Sequence, residues 1–140
     1  STQLAACRAR QWAPALRPDA LYLTTTADDV GSLAFGSSLA RALGLDRALR
    51  HAGWTASRFA RWNVLWEPSG APAPPPADIV MVLGCRDDVT PFRRGMALAR
   101  RWHLPHANVF LRDQGHFTVP LGLARDPAPL NRLADRLLRP

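Results

Sequence analysis

Lysine is missing from these 140 residues: all 18 basic side chains are arginine. They accompany abundant alanine, proline and leucine, the profile of a GC-rich coding sequence, and they are scattered along the chain without a block of like charge. The formal charge is +7 and the sequence pI about 11.3, yet no concentrated basic footprint marks a nucleic-acid partner, and none is expected. Cysteine is also scarce. Cys7 and Cys85 lack the paired spacing of a metal or redox motif, so both are expected to be reduced and at least partly buried. No apolar run approaches the ~20 residues of a membrane span, and the first residues lack the pattern of a signal peptide. The chain therefore reads as soluble and cytoplasmic, with no membrane contact. His103 and His106 have Pro105 between them, which breaks the helical spacing that would aim both rings at one ion. No cysteine or acid completes a set, so neither a metal nor a cofactor is implied.

What the chain does contain is a core. Hydrophobic residues make up 47% of the sequence, and the length suits one domain with a buried interior. Its centre is Ile79-Val80-Met81-Val82-Leu83, unbroken and rich in β-branched residues, followed by Gly84 and an acidic turn at Asp87-Asp88. Such a run predicts a parallel strand covered on both faces. In open parallel sheets ligands bind outside the carboxyl ends of the strands, so chemistry is expected just after Gly84.

The neighbouring segments fit this centre. Residues 1–13 carry an apolar stripe at helical spacing (Leu4, Ala5, Cys7, Ala9, Trp12) that Pro14 and Pro18 end. Residues 20–26 have strand composition and run into a turn at Asp28-Asp29. Residues 28–66 read as short helices, with Trp54, Trp62 and Trp66 close together; either they pack as ordinary core or they form a cap over a ligand cleft. Residues 67–77 include five prolines and form a stiff Pro-rich linker. After the 79–84 strand, Thr90 is a natural N-cap and Pro91 a natural first helical residue. Phe92, Met96, Ala99 and Trp102 follow at helical spacing, with Arg93, Arg94, Arg100 and Arg101 facing outward. Residues 107–112 form a third strand and residues 127–138 a last helix, with Leu130, Leu133, Leu137 and Leu138 facing inward. The fold class is α/β: a three-layer arrangement of about three parallel strands (20–26, 79–84, 107–112), flanking helices and a helical cap-like insertion, in a single domain.

Two of these strands end in chemistry. Asp87 or Asp88 follows one and His116 follows the other, on the same edge of the sheet. A carboxylate paired with a histidine is the orienting half of a nucleophile relay, because it fixes the ring tautomer and stabilises the imidazolium. Gly84-Cys85-Arg86-Asp87-Asp88-Val89-Thr90-Pro91, followed by Gln114-Gly115-His116-Phe117, resembles the C-terminal half of an α/β-hydrolase. The resemblance covers residues 78–140 well and the first helix and strand more loosely. It implies that Asp87 is the catalytic acid and His116 the base, that Asp88 is a turn residue or a supporting acceptor, and that 28–66 is a cap-like insertion. It also implies a small-molecule acyl substrate: an ester, thioester or amide.

The departure from that family is equally specific. Its nucleophile sits in a Gly-x-Ser-x-Gly elbow before the acid and the histidine, and no such motif occurs here. The chain is therefore expected to be a fragment or split product that lacks nucleophile and oxyanion donors and is inactive alone. The free edge of the 20–26 strand is expected to be covered by the absent N-terminal half or by a second copy in a homo-oligomer. The competing reading is a noncatalytic α/β module that works by association through its basic surface and aromatic cap.

Overall fold

The Ile79–Leu83 run becomes the middle of a parallel sheet in the computed structural model, which describes residues 19–26, 30–62 and 78–138. Strands β1 (Ala20–Thr24), β2 (Asp78–Gly84) and β3 (Val109–Arg112) lie in that order, all parallel. The register sets Leu21 against Ile79 and Leu23 against Met81, then Val82 against Phe110 and Leu83 against Leu111. From Ile79 to Gly84 every residue of β2 is buried. Burial on both faces is what an unbroken apolar run requires, and each fully buried side chain such as Val80, Met81 or Val82 contributes about 1.5–3 kcal/mol.

Alternation along the strands sends odd-numbered residues to one face, where Leu21, Leu23, Ile79, Met81 and Leu83 pack against Leu98 and Ala99 of helix α4 (Phe92–Arg101) and against Trp102, its C-cap residue. Phe92 and Met96 close this cluster, so the stripe expected for the helix is the one it buries. Gly95 allows the approach: a Cβ there would lie 2.5 Å from a Leu83 methyl. Helix α6 (Ala128–Leu138) packs against β2 and β1 but presents a face other than its leucines. Pro129 is buried, Arg132 donates to the Asn108 side chain at 3.0 Å, and Arg136 pairs with Asp78 at 2.7 Å. Residues 129, 132, 133 and 136 share one stripe, which turns Leu130 and Leu137 outward and leaves Leu138 81% exposed. The inward placement of Leu130, Leu137 and Leu138 is thus corrected by two arginine tethers and a proline.

Strand ends also differ from expectation. β1 stops at Thr24 because Thr25 takes φ 47, a left-handed conformation that a β-branched residue adopts only under strain. β3 begins at Val109; His106–Asn108 form a single 3-10 turn in which Asn108 is buried and its amide donates to the Ile79 carbonyl at 3.0 Å. Cys85 is exposed rather than partly buried, since the chain turns outward straight after Gly84.

The 30–62 segment folds as helices α1 (Val30–Gly36), α2 (Ser38–Ala42) and α3 (Leu45–His51), then a 3-10 segment (Ala56–Trp62) that packs on α1. A short helix α5 (Thr118–Gly122), not expected from the sequence, follows His116. Among the described residues no helix is long and apolar enough to cross a membrane. The 1–13 helix and the 67–77 linker lie outside the described residues.

Helix α4 ends with His103 at φ 52, its N–H bonded to Arg100 O while Leu104 N bonds to Ala99 O. This closure normally carries glycine, and a side chain in the left-handed region costs ~1–2 kcal/mol. His103 is exposed, so His103→Gly is expected to raise stability by about 0.5–1 kcal/mol, read as a higher urea midpoint. An unchanged or lower midpoint would contradict this account of the helix end.

Candidate functional site

The loops after β2 and β3 are fastened to each other before either displays a side chain. Cys85 N donates to Arg112 O at 2.7 Å and Arg86 N to Gln114 O at 3.1 Å, continuing the parallel ladder past the end of the strands. Arg86 also holds Asp113 through two short guanidinium contacts. Gly84 makes this crossing possible: a Cβ there would stand 2.4 Å from Gln114 O and 2.8 Å from Val119 Cγ2. Gly122 serves the same loop, since its missing Cβ leaves room for the Gln114 amide.

The fastening brings Asp87 and His116 together. Asp87 Oδ2 lies 3.0 Å from His116 Nδ1, and Oδ1 lies 3.2 Å from it. The carboxylate is almost wholly buried, with 2% side-chain exposure, whereas the imidazole keeps 22%. A buried carboxylate needs its lone pairs filled, and three further donors fill them. Val89 N and Thr90 N reach Oδ1 at 3.0 and 2.7 Å, and the Thr90 hydroxyl reaches Oδ2 at 2.6 Å. Asp87 therefore caps the turn that leads into α4, the plain structural role open to an acid at this position, and orients His116 as well.

Thr90 departs from its expected part. Pro91, without a side-chain cap, occupies the N-cap position of α4, and the Thr90 side chain points back to the acid. Its hydroxyl also lies 3.2 Å from His116 Nδ1. That hydroxyl has one hydrogen and gives it to Asp87, so towards His116 it acts only as an acceptor. An ionised Asp87 is likewise acceptor-only. The network thus assigns the proton of a neutral His116 ring to Nδ1, leaving the lone pair on Nε2. Among the described residues nothing hydrogen-bonds to Nε2, and the Phe117 ring stands edge-on to the imidazole at 5.0 Å. Asp88 is exposed; its carbonyl accepts from Ser38 N at 3.4 Å, tying α2 to the acid loop.

His116 and Thr90 line a cavity of about 690 Å³ whose other described walls come from the 30–59 segment and Val89. Leu33, Ala40 and Leu49 line it, as do Trp54 and Phe59, whose rings meet at a tilt with centroids 5.2 Å apart. The segment thus contributes both buried residues, Ala40 and Phe59, and cavity wall. Leu43 lines the cavity and yet is 72% exposed, so the cleft opens to solvent along α2 and α3. Arg94, expected on the solvated side of α4, instead donates to Ser32 of α1 at 2.8 Å and ties α1 to α4.

The sequence pattern contains both members of the pair and Gly84, but it gives Thr90 only as a helix cap and gives no sign of Gly122 or of the close passage over Gly84. The signal for Thr90 was an Asp-x-x-Thr spacing, in which the acid caps a turn and the third residue faces back to it. Among the described residues no group of histidine, cysteine and acidic side chains is placed to hold a metal. No family model, curated protein or solved structure matches the chain.

Two outcomes test this geometry. Thr90→Val is expected to cost about 1.5–3 kcal/mol, the worth of a hydrogen bond to a charged group, and to leave the Nδ1–H tautomer of His116 in place, as read from nitrogen-15 shifts of the ring. No loss in urea denaturation would show that the hydroxyl does not hold the acid. Gly84→Ala is expected to cost about 2 kcal/mol or more, and more than Gly95→Ala, because it strikes a backbone carbonyl rather than a leucine methyl. The reverse order would contradict the proposed crossing.

Proposed function

We propose that this chain carries the acid-and-histidine half of an α/β-hydrolase-type site that cleaves an ester, thioester or amide by a nucleophile relay. The observation that carries the reading is the buried Asp87 carboxylate holding the Nδ1 edge of a cavity-lining His116 at 3.0 Å, at the carboxyl ends of two neighbouring parallel strands. In this reading His116 Nε2 takes the proton of the attacking hydroxyl and later passes it to the leaving group. Asp87 keeps the ring in the Nδ1–H tautomer and stabilises the imidazolium. Thr90 fixes the carboxylate so that it stays aligned with the ring.

The nucleophile and the oxyanion donors are not supplied by the described residues. Ser37 lines the cavity, but its hydroxyl donates to Leu33 O at 2.8 Å and accepts from Ala40 N at 3.0 Å as the cap of α2. Ser38 N and its hydroxyl both face the Asp88 carbonyl. The 140 residues hold no Gly-x-Ser-x-Gly elbow. In the proposed enzyme the nucleophile comes from a strand beside β1, which among the described residues is paired on one side only. That strand belongs to the same polypeptide or to an associated one.

In the full-length protein, His116→Ala is expected to lower hydrolysis of a generic aryl ester by roughly 10³-fold or more, and Asp87→Asn by a comparable factor through loss of the correct tautomer. Unchanged hydrolysis in His116→Ala would overturn the assignment of the base. Residues 1–140 alone are expected to show no turnover above buffer.

A further inference from the structure

The cavity beside His116 has a chemical bias that narrows what it accepts. Its described walls are aliphatic or aromatic along α1, α2, α3 and the 3-10 segment, and among the described residues its charged or ionisable lining is confined to His116. The two hydroxyls on the wall are already committed: Ser37 donates to Leu33 O and accepts from Ala40 N, and Thr90 donates to Asp87. The nearby arginines are turned to other work. Arg41 donates to Gly36 O, Arg50 lies over the Phe35 ring, Arg58 lies over Trp54, and Arg94 holds Ser32. A sugar, nucleotide, phosphate or amino-acid group pushed along this wall would lose water without gaining a partner, a penalty that grows with each polar group. An alkyl chain loses nothing there and buries its surface.

We propose that the cavity takes an uncharged, unsubstituted hydrocarbon chain of medium length, with its one polar end at His116. The chain is the acyl or alkyl part of the substrate; the inference rests on the hydrolase reading for its final role but not for its binding. The volume of about 690 Å³ lies within the range of sites that enclose a whole small ligand. The exposed rim residues Leu39, Leu43 and Leu45 extend the same apolar surface to solvent, which gives a longer chain somewhere to lie.

The test is binding of 1-alkanols, from butanol to decanol, to the 140-residue chain by calorimetry, with backbone amide shifts of residues 30–59 locating the site. Affinity is expected to rise by up to about fourfold per added methylene until the cavity is full. 1,8-Octanediol is expected to bind roughly tenfold or more weakly than 1-octanol, the cost of one unpartnered buried hydroxyl. Leu43→Asp, at a position exposed enough to leave folding intact, should weaken octanol by a similar factor without lowering the melting temperature. Equal binding of octanol and the diol, no dependence on chain length, or shifts confined to residues outside 30–59, Val89, Thr90 and His116 would each overturn the proposal. The two readings fail separately. Chain-length-dependent binding with no His116-dependent hydrolysis in the full-length protein would remove the catalytic reading and keep the cavity's preference. His116-dependent hydrolysis that is equally fast for acetate and octanoate esters, with flat alkanol affinities, would remove the preference and keep the catalysis.

Discussion

The close passage of the Gln114 carbonyl over Gly84 is the constraint on which the site depends. Any side chain at position 84 would meet that carbonyl at 2.4 Å, so β3's loop can cross the end of β2 only above a glycine. Once it crosses, the ladder continues for two more hydrogen bonds, Cys85 to Arg112 and Arg86 to Gln114. These fix the height and spacing of both loops. The Arg86–Asp113 pair spans the same gap, but both side chains are about 70% exposed. Exposed pairs contribute at most about 1 kcal/mol, so the backbone ladder and the glycine, rather than the ion pair, set the geometry. Asp87 and His116, 29 positions apart, meet as a consequence.

How much of this was legible depended on whether the determining contact was local. The β2 strand, the inward stripe of α4 and the acid and histidine at adjacent strand ends follow from composition and spacing within short windows, and they reappear in the fold. Thr90 did not, because Thr-Pro ahead of an apolar stripe looks the same whether the hydroxyl caps the helix or turns back to an acid three residues earlier. Asp87 already caps that turn through Val89 N and Thr90 N, which frees the threonine. The α6 leucines were misread for a related reason. Periodicity locates an amphipathic face, but Arg132 to Asn108 and Arg136 to Asp78 are long-range partners that rotate the helix away from it.

The 30–62 segment shows a different limit. Leu33, Leu39, Leu43 and Leu45 have the composition of a core, and hydrophobicity cannot distinguish a residue that fills space from one that borders it. In the fold they border it: Leu43 and Leu45 are exposed while lining the cavity. Holding apolar surface against water costs on the order of 25 cal/mol per Å², and clustered apolar exposure of this kind marks a binding surface more often than a packing fault. Polar contacts of the 30–62 segment include Arg94 to Ser32 and Ser38 to the Asp88 carbonyl. These two contacts reach α4 and the acid loop, so the position of the cavity wall is coupled to that of the Asp87–His116 pair.

The arrangement of Asp87 is also uneconomical for stability alone. A buried carboxylate must be fully partnered to avoid a large penalty, and well-packed apolar residues often do as well or better in its place. Two backbone amides and a hydroxyl would satisfy a turn-capping acid. The remaining acceptor capacity is instead directed at an imidazole that keeps 22% of its side-chain surface exposed and lines a cavity. A buried, rigidly held charge against one edge of a solvent-reachable ring does little for packing, but it does fix which nitrogen carries the proton. That asymmetry is what a proton relay requires: one nitrogen committed to the acid, the other left with its lone pair and, among the described residues, no partner.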